Sequence, residues 1–428
     1  MPTASGTSPS SITVRTLACG MPLLVERMSG VRTAAINWLI PVGNAADPVG
    51  DSGDGWSSML AELAQRGAAG RSSREFSDAL DRAGVQRSVT PAVVHTVISA
   101  TTIGSRIGEA LPLLADLVLR PHLPAESLDA VRSLAVQSLE SLQDDPQHRV
   151  GLRLREIHLP PPFDRTGYGN RAAYERATHD ALLAHWDARA RPVGSILAVA
   201  GDVDADALAS TLDRLLVGWS GEARDVVAAG ERRGGMRHEE DESNQTHLAI
   251  GLDAPSEKEP ESLLCRLATN ILGGESSSRL FIEVREKRGL CYSVNAGYAG
   301  GRDRGMVAVY AGSTPERAQE TLDTIMHELE RFEHGVGEGE FRRSVTGMKS
   351  RLVMQGESTG ARAAALASDW YRLGRCRSLD ELAAEVDAVT LDRLNAWICA
   401  SMGSGWRTSL SMCTIGKSPL QFREPTHH

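Results

Sequence analysis

What this sequence lacks closes off several classes of function before any motif is read. No apolar run reaches the roughly 18 residues that a membrane-crossing helix needs. The start, "MPTASGTSPSS", is polar and has neither the basic nor the apolar segment of a signal peptide. Residues 1–11 therefore read as a disordered tail and the chain as cytoplasmic, although removal of a leader would place it in the periplasm. No long basic run offsets a net charge of -9 and a pI near 5.8, which argues against a partner held through nucleic-acid phosphates. Cysteines are few and scattered: Cys19, Cys265, Cys291, Cys376, Cys399 and Cys413 form no Cys-x-x-Cys and have no histidines at finger spacing. They read as buried thiols.

What is present is length enough for more than one core, 428 residues, and an internal repeat. In the first half "RTAAINWLIPVG" reads as a strand, "WSSMLAELAQRG" and "SSREFSDALDRAGV" as helices, "VVHTVISATTIG" as a strand and "IGEALPLLADLVLRP" as a helix. The second half repeats that order in "THLAIGLDAP", "ESLLCRLATNILGG", "SSSRLFIEVREKRGL", "GMVAVYAGS" and "ERAQETLDTIMHELERF". Ser73-Arg74 aligns with Ser278-Arg279, and Gly104-Ser105 with Gly312-Ser313. Each half then continues in helices and closes on a strand, "GSILAVAGD" or "TSLSMCTIG". The glycine-rich, charge-dense stretch between them reads as a linker over 219–243, separating domains at 12–218 and 244–420. The expected class is α+β: two tandem homologous domains, each a mixed sheet covered by helices.

Against the acidic background, "SRLFIEVREKRGLCYSV" gathers four basic side chains and a tyrosine. Arg285 falls near the end of a helix, and Tyr292 just past Gly289, where the chain turns into a strand. A phenol can donate to the oxygen that gains charge as a peptide carbonyl becomes tetrahedral, and a guanidinium can hold neighbouring carbonyls. On local pattern alone the favoured reading is the plainer one, Arg285 as a helix-end cap and Tyr292 as part of a strand face. The stretch "LGGESSSRLFIEVREKRGLCYSV" resembles the second-domain signature of the insulinase-like and mitochondrial-processing-peptidase-like zinc metallopeptidases, the M16 family, and the tandem domains and "AVAGDVD" at 198–204 fit it. The resemblance implies that Arg285 and Tyr292 face a zinc ion across a closed chamber and hold the substrate peptide.

Active members of that family carry His-x-x-Glu-His on the first-domain helix, two ligands on one face with a general base between them. Aligning Gly55 and Gly67 with the family pattern puts Ser58 and Glu62 at the histidine positions and Ala61 at the base; the third ligand position falls on Ser138. Glu140, two residues on, points elsewhere on its helix. One carboxylate cannot supply the three protein ligands of a catalytic zinc, so no metal or other cofactor is expected in this chain. The implied function is an inactive, substrate-binding subunit, half of a clamshell, whose Arg285 and Tyr292 complete the active site of a zinc-bearing homologous partner acting on extended peptides. The alternative is a structural or assembly subunit with no part in proteolysis; an autonomous enzyme with an unconventional metal site is the third class.

Other metal-like features have plainer readings. His327, Glu330 and His334 share a helix face but suit a solvated amphipathic surface. His95 reads as a hydrogen-bonded sheet residue. The "GGESSS" loop at 273–278 lacks the lysine of a phosphate loop, and Glu275 interrupts its glycines. "TAAINWLI" is expected to serve packing and not as the main peptide-binding edge.

Overall fold

The computed structural model describes residues 11–402 and 409–422; ten of the eleven residues of the N-terminal tail lie outside them. The chain forms two compact units, one made of residues 1–141, 165–228 and 354–378, the other of 142–164, 229–353 and 379–428. Each is a mixed sheet with helices on both faces, the α+β arrangement expected.

The first unit contains β1 (Ser11–Thr16), β2 (Pro22–Arg27), β3 (Thr33–Ile40), β4 (Gln86–Pro91), β5 (Thr96–Ile103) and β6 (Ile196–Gly201). They lie in the order β1-β2-β6-β3-β5-β4, with β2 and β6 parallel and the other neighbours antiparallel. "TAAINWLI" is β3, an interior strand with neighbours on both sides, so its backbone groups are committed to the ladder. One face packs Trp38, Ile36 and Val199 against α1 (Trp56–Ala64) and its neighbours. Strand β6, "ILAVAG", is buried at every position, so its other face also needs a cover.

That cover is the helix Thr359–Leu373, from late in the chain. Its Ala363, Leu366 and Ala367 pack on Leu24, Ala35, Ala198 and Ala200. Small side chains on both surfaces let helix and sheet approach closely. At the centre, Arg362 donates to Glu26 on β2 at 2.8 Å; the two side chains are 0% and 1% exposed. A second Arg362 nitrogen reaches the Arg377 carbonyl at 3.2 Å.

The second unit contains β7 (Gly235–Glu240), β8 (Thr246–Ala254), β9 (Ser293–Gly300), β10 (Gly305–Ser313) and β11 (Ser411–Gly416), ordered β9-β10-β8-β11-β7. Leu248, Ile250 and Leu252 enter the main core, while Ala249, Cys413 and Ile415 meet Val150, Leu154 and Ile157 of the helix Pro146–His158. Strand β7 arises inside the stretch expected to be a linker and pairs in parallel with β11. Its charges are what masked it. Arg237 binds Glu156 at 2.7 Å, and Glu239 binds Arg149 and Arg153, each at 2.9 Å. The expectation of buried thiols needs one correction: Cys265, Cys291 and Cys413 are buried, Cys19 and Cys376 half-buried, and Cys399 exposed on the outside of its helix. Among the described residues no helix is long and apolar enough to cross a membrane.

Arg362→Met strands a buried carboxylate and should lower the stability of the first unit by about 3–5 kcal/mol. Replacing Glu26 as well, by Leu, should restore most of it. Urea unfolding followed by tryptophan fluorescence reads both; equal stability of wild type and the single variant would show that the pair does not hold the helix to its sheet.

Candidate functional site

Helix α1 starts abruptly because Asp47 caps it from within the core. The Asp47 carboxylate accepts from the Ser57 N–H at 3.0 Å, the Gly55 N–H at 3.2 Å and the Ser57 hydroxyl at 2.9 Å. Negative charge at a helix N-terminus is favourable, and here it also satisfies donors that lack a helical partner. Gly55 has φ +94°, and a Cβ there would strike Tyr174 and Gly169. This cap fixes the rotation of α1 about its axis.

With that rotation, Ser58 and Glu62, one turn apart, face Ser138 of α2 (Leu128–Ser141) across a cleft of about 370 Å³. Asn44, Thr90, Tyr168 and Tyr174 also line it. Ala61 points away and is 2% exposed in the core. The polar groups are already engaged. Ser58 Oγ donates to the Gly167 carbonyl at 2.8 Å, and Glu62 accepts from Arg66 at 2.6 Å. Glu140 pairs with Arg171. A hydroxyl donating to a carbonyl and a carboxylate spent on an arginine do not make a zinc site of the usual three-ligand kind, and no cluster of three His, Cys, Asp or Glu able to hold a metal occurs among the described residues.

The segment over this cleft escaped the sequence reading. Residues 165–170, "RTGYGN", are fastened down by Ser58 to Gly167, by Arg165 Nη1 to the Asn44 carbonyl at 2.8 Å, and by the Tyr174 hydroxyl to the Tyr168 carbonyl at 2.5 Å. Burial, with Asp54 and Asp47 nearby, pushes the Tyr174 phenol well above its ordinary range, which keeps it a donor. Gly167 at φ +83° and Gly169 at φ +60° were the available signal.

In the second unit the basic motif is not an ordinary helix. Phe281–Glu286 winds as a π-helix, with the Lys287 N–H bonded to the Ile282 carbonyl at 2.9 Å. Such loose turns occur frequently at functional sites. Leu280 and Val284, both 0% exposed, root it in the core. Gly289, φ +62°, closes it, and the Tyr292 N–H then donates to the Gly312 carbonyl at 2.9 Å as the chain enters β9.

Three of the four cations in this stretch are paired locally, on two carboxylates. Arg279 forks onto Glu340 at 2.6 and 2.9 Å; Lys287 and Arg288 bind Glu283 at 2.7 and 2.9 Å. Hydrogen bonds from Lys287, then Arg288, outweigh the cost of burial and hold the Glu283 carboxyl below its usual range. Arg285 differs. It is exposed, no carboxylate among the described residues pairs with it, and its guanidinium lies 4.7 Å from the Phe281 ring centroid. Tyr292 is 62% exposed. Burial pushes the Cys291 thiol, between them in sequence, up to about 11, against the pull of the Arg285 charge.

The remaining candidates are structural in appearance. His95 stacks edge-on with Tyr371 at 4.8 Å. His327 and His334 are exposed, on and just after the helix Ala318–Glu333. Glu275 of the "GGESSS" loop pairs with Arg351.

Comparison with known proteins agrees with this architecture. Residues 176–348 match the family model described as the Peptidase M16 inactive domain. A Streptomyces coelicolor protein described as an uncharacterized zinc protease is 28% identical over 417 residues, 93% of this chain and 88% of its own. The crystal structure of a peptidase M16 inactive domain from Pseudomonas fluorescens superposes with a TM-score of 0.86 at 19% identity, covering 96% of this chain and all of that one. A chain of complex III2 from Candida albicans gives 0.78 at 16% identity, covering 95% and 96%. The matched domain, the relative of nearly equal span and the shared fold lead to one conclusion: residues 176–348 carry the M16 inactive domain, and the chain as a whole is similar to the M16 peptidases.

Proposed function

We propose that this chain is a non-catalytic M16 subunit that holds an extended peptide with Arg285 and Tyr292 and completes the active site of a zinc-bearing partner. The observation that carries this reading is the contrast between the two units. The polar side chains at the four ligand-and-base positions of the first are engaged within the chain or, at Ser138, offer only a hydroxyl, while the second exposes a guanidinium and a phenol that no carboxylate among the described residues claims.

The chemistry follows from the groups. The guanidinium presents N–H donors in a fixed fork and suits backbone carbonyls of an extended chain. The Tyr292 hydroxyl donates to the oxygen that gains charge on attack, where a preorganised donor lowers the barrier. Zinc held by the partner would polarise the scissile carbonyl and the attacking water. A second reading, an assembly subunit that cleaves nothing, is favoured by the fold shared with a chain of complex III2.

In the complex of this chain with its partner, Tyr292→Phe should lower peptide cleavage about 10²- to 10³-fold without changing assembly on size exclusion; unchanged turnover would reject the shared site. Capture of the tagged chain from its native lysate separates the two readings. A co-eluting His-x-x-Glu-His homologue with chelator-sensitive peptidase activity supports the first, and an inert eluate the second. Elemental analysis after zinc loading and desalting should find metal in the Ser58→His, Ala61→Glu, Glu62→His, Ser138→Glu variant and none in the parent. A metal-free variant would mean that these four positions are not the ligand and base positions.

A further inference from the structure

We infer that Phe281 is a positioning residue: its ring holds the Arg285 guanidinium by one face and leaves the N–H fork free for the peptide. This inference rests on the peptide-holding reading of Arg285.

An exposed arginine is a poor binding group unless something limits its rotamers, because ordering such a side chain on binding costs conformational entropy. A carboxylate would limit them, but it would also occupy the donors and cancel the charge, as happens at Arg279, Lys287 and Arg288. An aromatic ring attracts a cation lying over its face without accepting along the N–H edges. The 4.7 Å separation of Arg285 and Phe281 lies within the range of that attraction. Phe281 is itself half-buried, beside the fully buried Leu280, so the ring is fixed before the guanidinium settles on it.

The internal repeat supplies an independent control. Aligning Ser73-Arg74 with Ser278-Arg279 sets Phe76 against Phe281, Leu80 against Arg285 and Gly84 against Gly289. Both glycines are left-handed, at φ +65° and +62°. In the first half the helix is a regular α-helix over Ser73–Arg82, and Phe76 and Leu80 are buried at 0% and 3% exposure. In the second half the same positions lie on a π-helix, the phenylalanine only half-buried and an exposed arginine where the leucine was. The core-facing Phe–Leu pair of the first half is thus a surface Phe–Arg pair in the second.

The test uses the full chain and fluorescein-labelled β-casein, an unfolded polypeptide, with binding read by anisotropy. Phe281→Leu should weaken binding about 2- to 5-fold, the range of an exposed cation–π contact, whereas Phe281→Tyr should bind like wild type. On an Arg285→Ala background Phe281→Leu should add nothing. Additive losses would show that Phe281 acts only through general packing. Wild-type affinity for Phe281→Leu, beside weakened Arg285→Ala, would overturn the positioning role and leave the peptide-holding reading intact. If Arg285→Ala itself binds normally, that reading fails first. A second measurement needs no ligand: the Arg285 side-chain protons should be shifted upfield by the ring in wild type and Phe281→Tyr, and unshifted spectra would reject the stacking.

Discussion

Both sheets must be covered on both faces, and most of the structure follows from that constraint. Strands β6 and β11 are buried at every position, and a strand of that kind is stable only between two layers. One layer comes from the helices next in sequence. The other comes from elsewhere in the chain: Thr359–Leu373 for the first sheet, Pro146–His158 for the second. Each is held by more than apolar contact. Arg362 on Glu26 sets the first at a single depth, and the Arg149, Arg153 and Glu156 network to β7 ties down the second. A buried ion pair adds little net stability but makes any misregister expensive, since a shifted helix leaves a bare charge in the core.

Rigid sheets then decide what the polar groups above them can do. In the first unit the Asp47 cap fixes α1, and Ser58 binds the Gly167 carbonyl. A metal-binding imidazole at the same position would use that nitrogen for the metal. The serine uses its hydrogen to hold the 165–170 segment instead. Glu62, the one carboxylate on this wall of α1, is neutralised by Arg66.

The grouping of Ser58, Glu62 and Ser138 was implied by the family resemblance, whereas the repeat and the sheets' class were legible because they depend on periodicity and on left-handed glycines such as Gly55 and Gly67, which punctuate a sequence sharply. The exchange of helices was not. Thr359–Leu373 is amphipathic like its neighbours, and nothing local says which sheet its alanines meet. Strand β7 was hidden because the charges of "GMRHEE" look solvated until Arg149, Arg153 and Glu156 are in place. The π-winding of Phe281–Glu286 was hidden too, since its apolar spacing over six residues is close to that of an α-helix.

That last miss is informative, because the two halves provide the same positions wound in two ways. Between Ser73 and Gly84, and between Ser278 and Gly289, the residue counts are equal. The looser winding is therefore not an insertion but a different use of the same length. A π-turn gives up regular hydrogen bonds, a cost the second unit meets with Leu280 and Val284 at zero exposure, an Arg279–Glu340 fork on one side and Glu283 drawing in Lys287 and Arg288 on the other. These contacts engage the Glu340 and Glu283 carboxylates with cations other than Arg285. What remains is one cation, braced by a ring and short of a partner, a turn away from an exposed phenol. Helix-end capping, the plainer role open to Arg285 on sequence alone, would place its guanidinium on the carbonyls that close the turn. Those at Val284 and Arg285 instead receive the N–H groups of Leu290 and Gly289, each at 3.0 Å, and the Gly289 carbonyl takes Arg317 at 2.5 Å.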